Sequence, residues 1–158
     1  MKILMVCLGN ICRSPIAEGI LQDIIDTKGL DWQVDSAGTG NWHVGNAPDG
    51  RAVETAKNHG VLIQHQKARQ FSTRDFANFD LILAMDRSNY KDIIKLASSP
   101  ADKEKVRLIL EYSRSLEQDV PDPYWDDDGF EKVYHLLKDA CDLLVGHYSS
   151  ELINSKKI

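Results

Sequence analysis

The stretch that decides the fold is KILMVCLGNICRSP, residues 2–15. Ile3 to Val6 is a short apolar, β-friendly run of the kind that forms a buried strand. Cys7 stands directly at its end. The loop Leu8–Cys12 contains Gly9 and Asn10, both tolerant of positive φ. Arg13 and Ser14 follow, and Pro15 fits the first position of a helix, where its missing N–H costs nothing. A thiol is therefore expected in a tight strand-to-helix turn, with backbone N–H groups and a helix N-terminus converging on the same space. Such a turn binds anions and favours a thiolate. As chemistry, the stretch reads as a nucleophile inside a phosphate cradle.

Working outward, Ile16, Ile20, Leu21, Ile24 and Ile25 recur at helical spacing, with Gly29 as the stop. Trp32–Asp35 alternates apolar with polar and runs through Ser36 into a turn, the second strand. Residues 41–50 read as loop, with an exposed Trp42. Pro48 opens a helix to about His59, closed by Gly60. Residues 61–79 are mixed and polar. Leu81–Met85 is the third strand, and Asp86 or Ser88 caps a helix running to about Ala97. Val106–Leu110 is the fourth strand, 112–128 is irregular and acidic, and Phe130, Val133, Leu137, Ala140, Leu144 and Tyr148 mark a long amphipathic last helix. Strands alternating with helices imply right-handed crossovers, hence a four-stranded parallel sheet with helices on both faces. Ligands in such folds bind beyond the carboxyl ends of the strands. Cys7, the loop after Ser36, Asp86 and the 112–128 segment should all gather at that edge.

The bounds agree. A chain of 158 residues suits one domain, 1–158, with a single sizeable core. A formal net charge of -5 argues against general nucleic-acid binding, while a local arginine can still hold a phosphate. No apolar run is long enough to span a bilayer. A strand starting at residue 2 leaves no room for a signal peptide. Three cysteines without a disulfide framework fit a reducing compartment, so the cytoplasm is the expected location.

Cys7-x5-Arg13-Ser14 pairs a nucleophile with a guanidinium able to grip two phosphate oxygens. No G-x4-G-K-[ST] or G-x-G-x-x-G nucleotide loop is present. Cys7 and Cys12 have no second ligand pair nearby for a structural zinc, so no metal and no cofactor is expected. Attack on a phosphate ester expels an alkoxide or phenolate, which needs a general acid. Asp122, stiffened between Pro121 and Pro123, is the best candidate, with Asp119, Asp126, Asp127 and Asp128 as rivals. Trp42, Tyr124 and Trp125 sit in loops at the expected active edge and could wall a pocket for a flat ring, although Tyr124 could equally fill the core. Cys141, on the apolar face of the last helix, reads as packing, and Arg69 as a structural charge.

These motifs together resemble the low-molecular-weight protein tyrosine phosphatases. The resemblance rests on Val6–Pro15, on Asp35-Ser36-Ala37-Gly38-Thr39 with Gly45-Asn46-x-Pro48-Asp49, on Ala68-Arg69-Gln70, on Phe79–Asp86 and on Asp122-Pro123-Tyr124. It implies a doubly wound three-layer α/β/α fold and a two-step reaction without metal. Cys7 would attack phosphorus, and Asp122 would protonate the leaving phenol and then deprotonate the hydrolytic water. Arg13 and the loop Leu8, Gly9, Asn10, Ile11 and Cys12 would hold the phosphate, and Ser14 would hydrogen-bond the thiolate. Asn10 would be left-handed, supported by His65. Cys12 would be able to form a disulfide with Cys7 on oxidation. The implied partners are tyrosine-phosphorylated proteins and a cognate tyrosine kinase, and the implied state is a monomer.

Three alternatives are open. Arsenate reductases resemble this chain but use a further cysteine pair, and only Cys141 lies beyond the loop. Protein-arginine phosphatases carry Thr where Ile11 stands. A non-catalytic phosphotyrosine-binding module would lack the nucleophile or the acid, and both are present.

Overall fold

The computed structural model describes the backbone of residues 1–156 and the side chains of 1–150. β1 (Lys2–Cys7) lies between β2 (Gln33–Gly38) and β3 (Leu81–Ala84), and β4 (Val106–Leu108) completes the sheet beyond β3. All the pairings are parallel, in the order β2-β1-β3-β4. The chain thus leaves β1 to one side for β2 and returns to its other side for β3. That reversal opens a crevice at the carboxyl end of β1, and the loop after Cys7 occupies it.

Alternation along β1 divides the core in two. Ile3, Met5 and Cys7 face the layer made by α1 (Arg13–Lys28), α2 (Gly50–Asn58) and α6 (Gly129–Lys156). Leu4 and Val6 face the other side, packing with Ile82 and Ala84 of β3, with Phe71, and with Phe76 and Ile93 from α3 (Asp75–Asn78) and α4 (Arg87–Leu96). Every residue of β1 from Ile3 to Cys7 is buried, as expected of a central parallel strand covered on both faces. The stripe Ile16, Ala17, Ile20, Leu21, Ile24 and Ile25 of α1 is likewise buried. Each such Ile or Leu contributes about 1.5–3 kcal/mol by leaving water.

The helix ends follow local chemistry. Gly29 takes φ 62 and closes α1 with left-handed geometry. Asp86 caps α4, its carboxylate accepting from the Asn89 N–H at 2.7 Å. A short helix α5 (Pro100–Glu104), capped by Ser99, precedes β4.

Several boundaries differ from the sequence reading. Pro15 is the third residue of α1, because Cys12 is the flanking cap and Arg13 opens the helix. It is still harmless there, since the first-turn N–H groups have no intrahelical acceptor anyway. Asp49, not Pro48, starts α2, by accepting from the Arg51 N–H. β2 runs to Gly38 because its last residues pair with Val6 and Cys7. β3 stops at Ala84, and β4 at Leu108, where Ile109–Tyr112 turns into a 3-10 helix. Residues 75–78 and 100–104 form helices too short to carry an apolar period that would announce them. No helix among the described residues is long and apolar enough to cross a membrane.

Candidate active site

Cys7 ends β1 and its sulfur lies inside the curl of the following loop. The Sγ is 3.0 Å from Ser14 Oγ, and the Asn10 N–H donates to it at 3.3 Å. Asn10 takes φ 56, and it alone among the described non-glycine residues has positive φ. Its side chain holds this uncommon conformation from three sides. Nδ2 donates to Ser14 Oγ at 2.8 Å and to Ser36 Oγ at 2.9 Å, while Oδ1 accepts from the Arg69 N–H at 3.0 Å. Ser36 in turn donates to Glu18 Oε1 at 2.9 Å. Burial pushes the Glu18 carboxyl up to about 7, against the pull of the Ser36 hydroxyl.

Gly38 lets the loop sit this close to β2. A Cβ there would lie 2.8 Å from the Leu8 carbonyl oxygen and 3.2 Å from Asn10. The N–H groups of Thr39 and Gly40 donate to the carbonyls of Cys7 and Leu8, and that of Asp49 to Ile11, so the loop's outer side is pinned. Cys7, Leu8, Gly9, Ile11, Cys12 and Arg13 line the cleft, where the head of α1 supplies N–H groups that have no acceptor within the helix.

Arg13 is buried at the head of α1, with its guanidinium turned toward the cleft. Nη1 donates to Asp86 Oδ2 at 2.6 Å and to the Val120 carbonyl at 3.0 Å, and Nη2 stands 3.9 Å from Asp122 Oδ2. Burial works against its charge, and Cys7, Asp86 and Asp122 outweigh that effect, leaving its pKa raised. The Val120 N–H donates to the Met85 carbonyl at 2.9 Å, so one residue ties the acidic segment both to the chain just past β3 and to Arg13. Asp122 then accepts from the Tyr124 N–H at 3.1 Å and caps a 3-10 turn, Pro123–Trp125. The result is a cleft of about 290 Å³ with Cys7 and Arg13 on its floor and Asp122 on its rim. Trp42, His43, Tyr124 and Trp125 form its walls.

The family model for low molecular weight phosphotyrosine protein phosphatases matches residues 2–157. The chain belongs to that family. It is 49% identical over 160 residues to the Synechocystis sp. protein slr0328, which bears the family's name, covering 98% of this chain and all of that one. Its structure is similar to that of a protein tyrosine phosphatase from Entamoeba histolytica, with TM-score 0.90 and 35% identity, covering 96% of this chain and 98% of that one. It is also similar to an arginine phosphatase from Drosophila, with TM-score 0.88 and 37% identity over 94% of this chain and 98% of that one. The doubly wound three-layer α/β/α fold expected from the sequence is the one observed.

Within this family member, Leu8, Gly9, Ile11 and Cys12 line one cleft with Cys7, Arg13, Asp122, Tyr124 and Trp125, whereas Asn10 and Ser14 are buried and bonded to the Cys7 sulfur. Three of the four rivals of Asp122 are engaged elsewhere. Asp119 pairs with Arg87, which lowers its pKa, and Asp127 pairs with Arg51. Asp126 accepts from the Asp128 N–H in a turn. Tyr124 is 36% exposed, so it walls the cleft and does not fill the core. Cys141 is fully buried in α6, and burial pushes its thiol up to about 12. Cys12 is also buried, with its pKa raised by burial and then by Asp49. Arg69 is structural, bridging Asp35 and Asp75.

The expected support of Asn10 by His65 is corrected: Ser14, Ser36 and the Arg69 backbone hold Asn10, and His65 is exposed beside Gln66 and Glu18. Four contributors had no sequence signal strong enough to find them. They are the wall residue His43, the Asp86 contact to Arg13, the Glu18–Ser36 link, and Arg51. The last bonds Asp49, Asp127 and the Tyr124 carbonyl and lies over the Tyr124 and Phe130 rings. The Asp86–Arg13 and Glu18–Ser36 contacts and the Arg51 contacts to Asp127 and Tyr124 join segments far apart in the chain, which spacing along the chain does not encode.

Proposed function

We propose that this chain, as a single domain over 1–158, hydrolyses phosphotyrosine in proteins through a cysteinyl-phosphate. The observation that carries the reading is the 3.9 Å approach of Asp122 to Arg13 over the same cleft whose floor is Cys7. Cys7 sulfur attacks phosphorus, and the bond from phosphorus to the tyrosine oxygen breaks. The Asp122 carboxylic proton passes to the departing phenolate. A water then attacks the cysteinyl-phosphate, giving its proton to Asp122, and phosphate leaves with Cys7 restored as thiolate. Arg13 and the loop amides meet the charge that grows on the equatorial oxygens. Ser14, 3.0 Å from Sγ, stabilises the sulfur when it departs.

Trp42, Tyr124 and Trp125 with His43 support an aromatic ester, since flat walls favour a stacked ring. Ile11, an apolar member of the cleft lining, fits the same substrate. The likeness to the Drosophila arginine phosphatase supports phosphoarginine as the second reading. Arsenate reduction is disfavoured because Cys141, buried in α6, is the one thiol outside the loop and has no path to relay oxidation. In this reading the protein works as a cytoplasmic monomer on substrates made by a tyrosine kinase.

The deciding experiment compares release of phosphate from phosphotyrosine, phosphoserine and phosphoarginine peptides, in the presence of EDTA. Phosphotyrosine should be turned over fastest, Cys7→Ser should be inert, and vanadate should inhibit. Faster turnover of phosphoarginine would replace the first reading with the second.

A further inference from the structure

His59 at the C-terminal cap of α2 meets Glu131 and His135, which lie one turn apart at the start of α6. His59 Nε2 is 3.1 and 3.0 Å from the two carboxylate oxygens of Glu131, and His135 Nε2 is 3.3 Å from Glu131 Oε2. One donor atom from each residue lies within 4.8 Å of the others.

Two imidazoles and a carboxylate, two of them at i and i+4 on one helix, are a ligand set suited to a borderline divalent cation such as Zn²⁺. Zinc binds such donors at roughly 2.0–2.1 Å in a tetrahedron, so neighbouring donors stand about 3.3 Å apart. The distances to Glu131 are already near that value. The rings are also held in place. His59 stacks on Tyr134 with centroids 3.9 Å apart and planes at 9°, and meets the His135 ring edge-on at 83°. All three side chains reach solvent, at 29%, 55% and 67% exposure for His59, Glu131 and His135, so an ion can arrive and keep a water as its fourth ligand.

We propose that His59, Glu131 and His135 form a surface Zn²⁺ site that ties the end of α2 to the first two turns of α6. The site lies outside the Cys7 cleft and takes no part in phosphate transfer. Its effect is structural. α2 starts at Asp49, whose N–H is bonded to the Ile11 carbonyl of the phosphate loop at 2.8 Å, and α6 follows directly on the segment that carries Asp122. A bound ion therefore joins the two elements that flank the cleft. This proposal does not depend on which phosphoester the cleft takes.

The test is thermal unfolding of EDTA-treated protein with and without added Zn²⁺. At zinc a hundredfold above its Kd the wild-type Tm should rise on the order of 5–10 °C. His135→Gln, at an exposed position, should keep the metal-free Tm and lose most of the rise. His59→Gln should lose the rise too, from a lower metal-free Tm because Tyr134 loses its stacking partner. Cys7→Ser should retain it. With Co²⁺ in place of Zn²⁺, the visible bands should appear without a thiolate charge-transfer band. No rise in the wild type would overturn the proposal, leaving the three side chains as an ion-pair network. So would a rise that survives in His135→Gln and disappears in Cys7→Ser, which would put the ion on the active-site thiol.

Discussion

Asp86 Oδ2 accepts from Nη1 of Arg13 at 2.6 Å, joining the residue that caps α4 to the guanidinium at the head of α1. The contact uses one edge of Arg13 and leaves Nη2 toward Asp122 and the cleft. Removing one partner of a buried ion pair typically costs about 3–5 kcal/mol, because the other charge stays buried. Asp86→Ala should therefore lose on the order of 3 kcal/mol of stability in urea unfolding, with a fall in kcat as Arg13 loses its orientation. Asp86→Asn keeps an acceptor and a capping oxygen and should lose clearly less of both. Equal behaviour of the two variants would show that Asp86 does not orient Arg13.

Asp122 and Cys7 should separate by leaving group. Asp122→Ala is expected to slow hydrolysis of phenyl phosphate by roughly 10²–10⁴-fold, the usual contribution of a general acid. The loss should be smaller with p-nitrophenyl phosphate, whose phenolate departs more readily. Cys7→Ser should abolish turnover of both while phosphate still binds. Equal losses of Asp122→Ala on the two esters, in steady-state assays, would remove the proton-donor role.

Tyr124 is predicted to act on binding. Its ring is edge-on to Trp125 at 4.8 Å and tilted toward His43 at 6.5 Å, so it fixes the geometry of the wall. Tyr124→Ala should raise KM for phosphotyrosine peptides several-fold, in keeping with the roughly 0.5–1.5 kcal/mol of an aromatic pair. kcat should change little. A change confined to kcat would place Tyr124 in the chemistry instead of the wall.

Glu18 gives the fold a pH dependence of its own. Its carboxyl is raised by burial from 4.5 to about 7, so between those values the folded state binds a proton that the unfolded chain has released. Its contribution is fully present below about 4.5 and is lost as pH rises through about 7. Asp49 and Asp119 act in the opposite sense: their pKa values are lowered, so their stabilisation is lost only as pH falls below 3.8 and through their folded pKa values. Unfolding free energy measured at pH 5 and pH 8 should be lower at pH 8, and Glu18→Gln, which still accepts from Ser36, should flatten that difference. An unchanged slope in Glu18→Gln would refute the assignment.

Gly38→Ala tests the close approach of loop and strand. The added Cβ meets the Leu8 carbonyl at 2.8 Å, a backbone atom that cannot turn aside. The loop must move, and activity should fall more than stability does, as read from kcat/KM alongside urea unfolding.

How much of this was legible beforehand follows from where each signal lives. Ile3–Val6, the α1 stripe and the α6 stripe were readable because burial imposes a period on the chain itself. The short helices at Asp75–Asn78 and Pro100–Glu104 were not, because four or five residues are too few to show a helical period: the first buries only Asp75 and Phe76, and the second buries nothing and is set by its Ser99 cap. Pro15 stands two positions inside the helix start that its chemistry suggests, since the first three helical residues are equivalent in lacking an N–H partner.

The sequence by itself determined the cradle. Cys7, Asn10, Arg13 and Ser14 fall within one turn, and local chain geometry suffices to bring them to one point. It also determined the parallel sheet, through the alternation of apolar runs and helical stripes. Only the tertiary structure shows how Asp122, the aspartate its flanking prolines already favoured, is brought to the cleft of Cys7, with Val120 bonded at once to Met85 and Arg13. It alone decided that Ser36 and the Arg69 backbone, not His65, hold Asn10. The reason is the same in each case. Period and motif act over a few residues, whereas these contacts join segments that meet only when the sheet reverses direction around β1.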